Sequence, residues 1–385
     1  MKKRAPLILI IDGWLANAGD AAILLAMQSS LTRAIPGARV VFCAHHRELV
    51  GDRYPTLELA APLEVLADVT WPWTSERDRV ERGVLEDLVD KADLLIVPGG
   101  GFLFEHYRPE GRLATYEMLL ERGARLAFYA QSIGEFSDRG LRDRLSSILR
   151  AASLVLVRER SSFDAVRELC DLTTLYVTAD EAVLLPKRRS PPLRRRRALL
   201  ATVSSHPWWT RSSGVRQLDD ADVQGVADSL SRMLRERQFK SITFASTVQG
   251  LGGERWALED DAITAAAVRA AMPPSLAERV TVIPGYLSAH QYAALAARHA
   301  AVVSMRMHGA LLAATVRTPV LLANGSEKAR GLATGFSVTT DLRRIGERLG
   351  RLDQSRADWR AGQDEAIGAM RRQAAQNARL VAELL

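Results

Sequence analysis

The chain has little cysteine. Its 385 residues include only 2, Cys43 and Cys170, which stand far apart and in no CxxC spacing. That excludes a disulfide scaffold and a cysteine-based zinc site, and it fits a reducing compartment. Aromatic residues are scarce as well, at 6%. They are not interleaved with basic residues in the manner of a stacking platform for single strands, so nucleic acid is not an expected partner. Long hydrophobic runs are missing too, since none reaches the roughly 18 residues that a membrane-spanning helix needs. The run from Pro6 to Ile11 stops at Asp12. It is too short for a signal peptide, has no small-residue cleavage site after it, and reads as a buried first strand. The expected location is therefore cytoplasmic. No His, Asp and Glu residues stand at metal-ligand spacing, so no metal is expected.

The chain does contain an ordinary globular composition, 47% hydrophobic and 25% charged. At about 150 residues per domain the length predicts two or three domains, two being the better fit for an α/β chain, each large enough for its own core. Lys and Arg number 52 against 45 Asp and Glu, a formal net charge of +7. A compositional preference for Arg explains most of that excess. An anionic substrate or surface is the functional alternative.

The first half alternates strands and helices. Apolar runs predict parallel strands at Leu7 to Ile11, Arg39 to Ala44, Leu94 to Val97, Arg125 to Ala130, Leu154 to Val157 and Thr174 to Val177. Helical patterns separate them, from Asp20 to Ala34, Leu113 to Arg122, Leu141 to Ala151 and Ser161 to Leu169. The stretch Glu64 to Ser75, with Trp71, Pro72 and Trp73, is irregular and suits a flap. Pro186 to Arg197 then reads PKRRSPPLRRRR. This linker suits a solvated hinge, with a membrane-surface patch near an anionic lipid-linked substrate as the alternative. A second alternation follows, with strands at Ala198 to Val203, Ser241 to Ala245, Val280 to Ile283, Ala301 to Val303 and Val320 to Ala323. Asp353 to Leu385 closes the chain as a long helical pattern. The order predicts two Rossmann-like halves with a cleft between them, and strand C-termini are where ligands of such sheets bind.

Several strand-end segments could carry chemistry. Asn17-Ala18-Gly19-Asp20 opens the first helix, with Asp20 as a candidate cap. Gly99-Gly100-Gly101 ends an apolar strand and exceeds what a tight turn requires; its backbone N–H groups could approach a phosphate or sugar. Gln131-Ser132 ends the next strand beside it. Arg158 ends another, suited either to bidentate anion binding or to a surface ion pair with a neighbouring Glu, with Ser161 or Ser162 as a cap. Ser304-Met305-Arg306-Met307-His308-Gly309 is the most specific segment. A fixed cation, an imidazole and oriented backbone donors meet there at a helix N-terminus, an anion site with an acid/base group. The competing reading is a core histidine satisfied by hydrogen bonds. Lys328, His206 and Gln249 stand at further strand ends of the second half.

In their order these segments resemble the polysaccharide pyruvyltransferase family over nearly the whole chain. The matching pieces are NxGD (Asn17, Gly19, Asp20), GGG-x-LF, QSIG, VRExxS (Arg158, Glu159, Ser162), TAD (Thr178 to Asp180), VQG, S-x-R-x-HG, and Lys328 before Gly335-Phe336. The resemblance implies an α/β, GT-B-like fold. It places an N-terminal Rossmann-like domain on the acceptor side over residues 1–185 and a basic linker at 186–197. A C-terminal Rossmann-like domain on the donor side follows at 198–350, with a closing helix at 351–385. It implies transfer of pyruvate from phosphoenolpyruvate to a sugar or glycoconjugate, lipid-linked acceptors included, with a ketal and phosphate as products and no cofactor. Donor binding then falls to Arg158, Arg306, His308, Gly309 and Lys328, with His308 and Arg306 catalytic. Asn17, Gly19, Asp20, Gly99, Gly100, Gly101, Gln131, Ser132, His206 and Gln249 fall to the acceptor or the cleft lining. The chain departs from its relatives at Glu135, where QSIG is often followed by Pro, and at His206, where an Arg often precedes the aromatic. Two other readings suit the same features: a GT-B glycosyltransferase with a nucleotide-sugar donor, and a sugar- or phosphate-binding relative without turnover.

Overall fold

The computed structural model describes residues 4–69, 75–134, 136–185, 197–205, 208–210, 214–216, 218–248, 260–324, 336–354 and 356–385. For 208–210, 214–216, 351–354 and 356 it describes the backbone alone. Two compact units emerge. The first comprises residues 1–15, 20–186 and 370–385, and the second residues 16–19 and 187–369.

The first unit is built on a seven-stranded parallel sheet. Its strands are β1 (Leu7–Trp14), β2 (Arg39–His45), β3 (Glu58–Ala60), β4 (Leu94–Val97), β5 (Leu126–Gln131), β6 (Leu154–Val157) and β7 (Leu175–Val177), in the order β3-β2-β1-β4-β5-β6-β7. Both faces carry helices, which is why the strands are nearly all apolar rather than alternating. Leu9, Ile11, Leu95, Val97, Phe128, Val155 and Val157 form one buried layer with Leu113, Tyr116, Leu145 and Ile148 of the covering helices. The order reverses at β1 and β4, the place where ligands of doubly wound sheets bind beyond the strand C-termini.

The second unit repeats the plan. It opens with β8 (Ala198–Thr202), and a separate antiparallel pair follows, β9 (Trp208–Thr210) with β10 (Gly214–Arg216). Then come β11 (Ser241–Ser246), β12 (Val280–Tyr286), β13 (Ala301–Ser304), β14 (Val320–Ala323) and β15 (Ser337–Thr339). Six of these strands form a parallel sheet in the order β12-β11-β8-β13-β14-β15. The final helix, Arg356–Ala382, serves both units. Gln363 of its first part accepts from Val320 N (3.1 Å) and donates to Thr318 O (2.9 Å), within the second unit. From Met370 on the helix groups with the first unit, where Asn377 donates to Ala179 O (3.1 Å) and Glu181 (2.9 Å). Both cysteines are free and buried. Among the described residues no helix is long and apolar enough to cross a membrane.

Candidate active site

In the second unit the segment after β13 is shaped by one hydroxyl. Arg306 N donates to Ser304 Oγ (3.2 Å), and Ser304 Oγ donates to Arg306 O (2.6 Å). This local turn holds Arg306 in extended backbone (φ −93°, ψ 125°) at the N-cap of the helix Met307–Thr315, with 22% of its side chain exposed. Arg306 Nε donates to Asp261 Oδ1 at 2.9 Å. Asp261 is buried, and its second oxygen accepts from Thr247 N (2.8 Å), Thr247 Oγ1 (3.2 Å) and Val248 N (3.1 Å). Burial pushes the Asp261 carboxyl above its ordinary value, against the pull of Arg306 and the backbone donors.

His308 lies in the first turn of the same helix and is mostly buried. Its ring rests against Gly19, since a Cβ on Gly19 would come within 2.1 Å of His308 Nδ1. Only a residue without a side chain permits that approach. The Asn17–Gly19 loop is fixed there by its backbone: Ala18 N donates to Thr247 O (2.8 Å), and Asn17 bridges Val248 in antiparallel fashion. Two expected motifs far apart in sequence thus meet. Gly309 is also closely packed, since a Cβ there would stand 2.5 Å from Ser304 Oγ. Behind them Tyr292 OH contacts Thr202 Oγ1 (2.8 Å), which donates onward to Ala245 O (3.0 Å).

The helix cap differs from expectation. The helix begins at Ala18, so Asp20 falls inside its first turn, and Asn17 is the capping residue, accepting from Gly19 N (2.8 Å). Asp20 still contributes negative charge at the helix start.

In the first unit, Ser132 N donates to Gly100 O (2.9 Å), which brings the Gly99–Gly101 loop against the end of β5. Arg158 was expected to hold an anion. It is instead buried and committed: Nη1 donates to Asp180 Oδ2 (2.6 Å), Nε donates to Ser132 Oγ (2.7 Å), and Glu159 lies 3.3 Å away. Neither serine of that segment caps the helix Arg160–Leu169; Ser162 Oγ bonds Glu159 and accepts from Ile133 N (2.9 Å). The QSIG, VRExxS and TAD motifs therefore interlock as one buried network. Gln131 is wholly buried, and its amide N and O have no hydrogen-bond partner. Lys328, His206, Gln249, Glu135 and Trp71 to Trp73 lie outside the described residues.

A second cluster was not foreseen from the sequence. Asp12, His45 and Glu64, at the C-terminal ends of β1 and β2 and just past β3, are all buried. Asp12 takes φ 62° at a register shift in β1. Its carboxylate accepts from Arg112 Nε (3.0 Å) and from Tyr116 OH, while His45 Nε2 lies 2.9 Å from Glu64 Oε1. Burial alone would lower the His45 imidazole, but Glu64 and Asp12 outweigh it and push it up to about 9. Burial and the charge of His45 press the neighbouring His46 down to about 4. The three residues offer ligand atoms within 4.8 Å of one another and could hold a metal ion. Arg112 and protonated His45 already balance the two carboxylates, so an entering cation would have to displace the imidazolium proton. The signal in the sequence was weak: three ionisable residues each directly past an apolar run.

Comparison with known proteins agrees with these motifs. The family model for polysaccharide pyruvyl transferase matches residues 17–325. No curated protein matches the chain. Solved structures share the fold at low identity. The UDP-GlcNAc 2-epimerase from Neisseria meningitidis, bound to UDP-GlcNAc, superposes with a TM-score of 0.62 at 12% identity over 98% of this chain and 99% of its own. The Anabaena protein HepE in complex with UDP gives 0.58 at 11% over 98% of each chain. CalG4, the calicheamicin glycosyltransferase, gives 0.51 at 15% over 99% and 98%. These likenesses show a GT-B-like fold. With the match spanning most of its length, the chain belongs to the polysaccharide pyruvyl transferase family.

Proposed function

We propose that the protein transfers pyruvate from phosphoenolpyruvate to two hydroxyls of a sugar or glycoconjugate, forming a ketal and releasing phosphate. The observation that supports this most is the turn Ser304–Gly309. A gripped guanidinium and an imidazole stand two residues apart at a helix N-terminus, where the helix dipole favours an anion. In this reading Arg306 takes the carboxylate or phosphate, with Lys328 as a second cation. His308 is the general acid/base, a role worth typically about 100- to 10,000-fold.

The chemistry balances with these groups alone. A proton adds to the methylene carbon of phosphoenolpyruvate, and the adjacent carbon gains cationic character. One sugar hydroxyl attacks that carbon and loses its proton. A second hydroxyl then displaces phosphate. The two hydroxyl protons end on the new methyl group and on the departing phosphate. Gln131, wholly buried at the end of β5, is the candidate acceptor-side residue of this reading. Arg158 supports the loops and does not touch the donor.

Glycosyl transfer from a nucleotide sugar is the rival reading, favoured by the fold shared with proteins crystallised with UDP and UDP-GlcNAc. Thermal shift separates the two. Phosphoenolpyruvate at 100 times its dissociation constant stabilises the protein by about 2.7 kcal/mol, and UDP-GlcNAc leaves the melting temperature unchanged. The opposite pattern favours glycosyl transfer, and no shift with either refutes both donors.

A further inference from the structure

Arg306 has a long side chain, and a guanidinium orients an anion only as well as it is itself held. We propose that Asp261 is the positioning residue of the donor site, fixing the plane of the Arg306 guanidinium for phosphoenolpyruvate. This rests on the pyruvyl-transfer reading of Arg306.

The geometry carries the inference. Asp261 is 1% exposed, while Arg306 reaches outward with 22% of its side chain exposed. One oxygen of Asp261 takes Arg306 Nε, and the other takes three donors from Thr247 and Val248. A carboxylate pinned at both oxygens cannot swing with the arginine it holds. It is pinned from its own side as well. It opens the helix Asp261–Ala270, whose start is capped by Asp260 accepting from Ala262 N (2.8 Å). The same Thr247–Val248 turn binds the Asn17–Gly19 loop, which lies on His308. One buried carboxylate thus sets both the cation and the backbone that seats the imidazole. Since Asp261 offsets part of the charge of Arg306, it contributes direction rather than attraction, the preorganisation that a transferring phosphate rewards.

Asp261→Asn isolates this role. The amide oxygen can satisfy the three donors of Thr247 and Val248, which turns an N–H toward Arg306 Nε. The turn keeps its bonds and the guanidinium loses its grip. The expected result is a rise in KM for phosphoenolpyruvate of roughly 10- to 150-fold, the worth of one charge-assisted hydrogen bond, with a smaller change in kcat. In an Arg306→Lys background, which has no Nε donor, Asp261→Asn adds no further rise. Asp260→Ala removes the cap of the same helix and lowers the melting temperature without raising KM. An unchanged KM with kcat falling in step with the folded fraction overturns the proposal. So do additive losses in the double variant, or an equal rise in KM for Asp260→Ala. Wild-type protein that does not turn over phosphoenolpyruvate refutes the reading of the site itself, and the proposal with it, before any variant is compared.

Discussion

Replacing Gly19 by Ala should uncouple activity from stability. Gly19 is the second residue of the helix Ala18–Ala34, and in an open helical position the change to Ala would stabilise by about 0.5–1 kcal/mol. Here the new methyl would stand 2.1 Å from His308 Nδ1, 2.2 Å from Cγ and 2.3 Å from Cβ. All three atoms belong to the half of the side chain nearest its own backbone, so the ring cannot escape by flexing a distant end. Either the start of the helix Ala18–Ala34 or the helix Met307–Thr315 must move. Overpacking of this kind costs about 1–3 kcal/mol, so set against that gain the net loss of stability is at most about 2.5 kcal/mol. The displaced imidazole forfeits general acid/base catalysis, and ketal formation falls at least about 100-fold. Gly362→Ala is the control. That glycine lies inside the helix Arg356–Ala382, and a methyl added there would meet nothing within 4 Å, so the change gains stability at full activity. Urea denaturation and turnover measured on the same preparations decide the matter. Wild-type turnover in Gly19→Ala would refute the placement of His308 in the chemistry.

The buried His45 makes stability pH-dependent. Its folded pKa of about 9 lies above the ordinary 6.5, so its contribution is complete below pH 6.5 and is lost as pH rises through 9. The shift corresponds to about 3 kcal/mol at 1.36 kcal/mol per unit, and a urea series from pH 6 to 10 should show the decline flatten in His45→Gln. Arg158→Ala leaves Asp180 and Glu159 buried without their cation. It should cost about 3–5 kcal/mol and appear in melting curves as a folding defect, whereas Arg306→Lys melts close to wild type and loses affinity for phosphoenolpyruvate. Gln131→Leu removes a buried amide that has no partner. The variant should be no less stable, and its KM for the acceptor should rise about tenfold, one hydrogen bond's worth; an unchanged KM would assign that amide to a structural water.

Much of the fold was legible because the strands of a doubly covered parallel sheet are apolar throughout. β4, β6 and β14 stand out as runs of four apolar residues. β3 and β15 do not stand out in the sequence, being three residues each and partly polar. Nor do the helices Glu76–Val80 and Arg82–Lys91, where charge hides the apolar spacing. The Arg306–His308 segment was legible since its members are neighbours in the chain. Asp261 was not, because it joins Arg306 across 45 residues through the packing of β11 against β8 and β8 against β13. Arg158 looked like an anion anchor for the same reason. Its partner Asp180 lies 22 residues on, brought near by the pairing of β6 with β7. Asp12 seemed merely to end an apolar run until a register shift and a positive φ turned it toward Arg112.

Pyruvyl transfer at Arg306 and His308 is decided by product analysis. Purified protein is incubated with phosphoenolpyruvate and a panel of glycosides, then examined by mass spectrometry for the pyruvate ketal and by assay for phosphate. Ketal and phosphate should form in equal amounts with wild-type protein and fall at least about 100-fold in a folded His308→Ala variant. Equal ketal formation by both proteins would remove His308 from the chemistry.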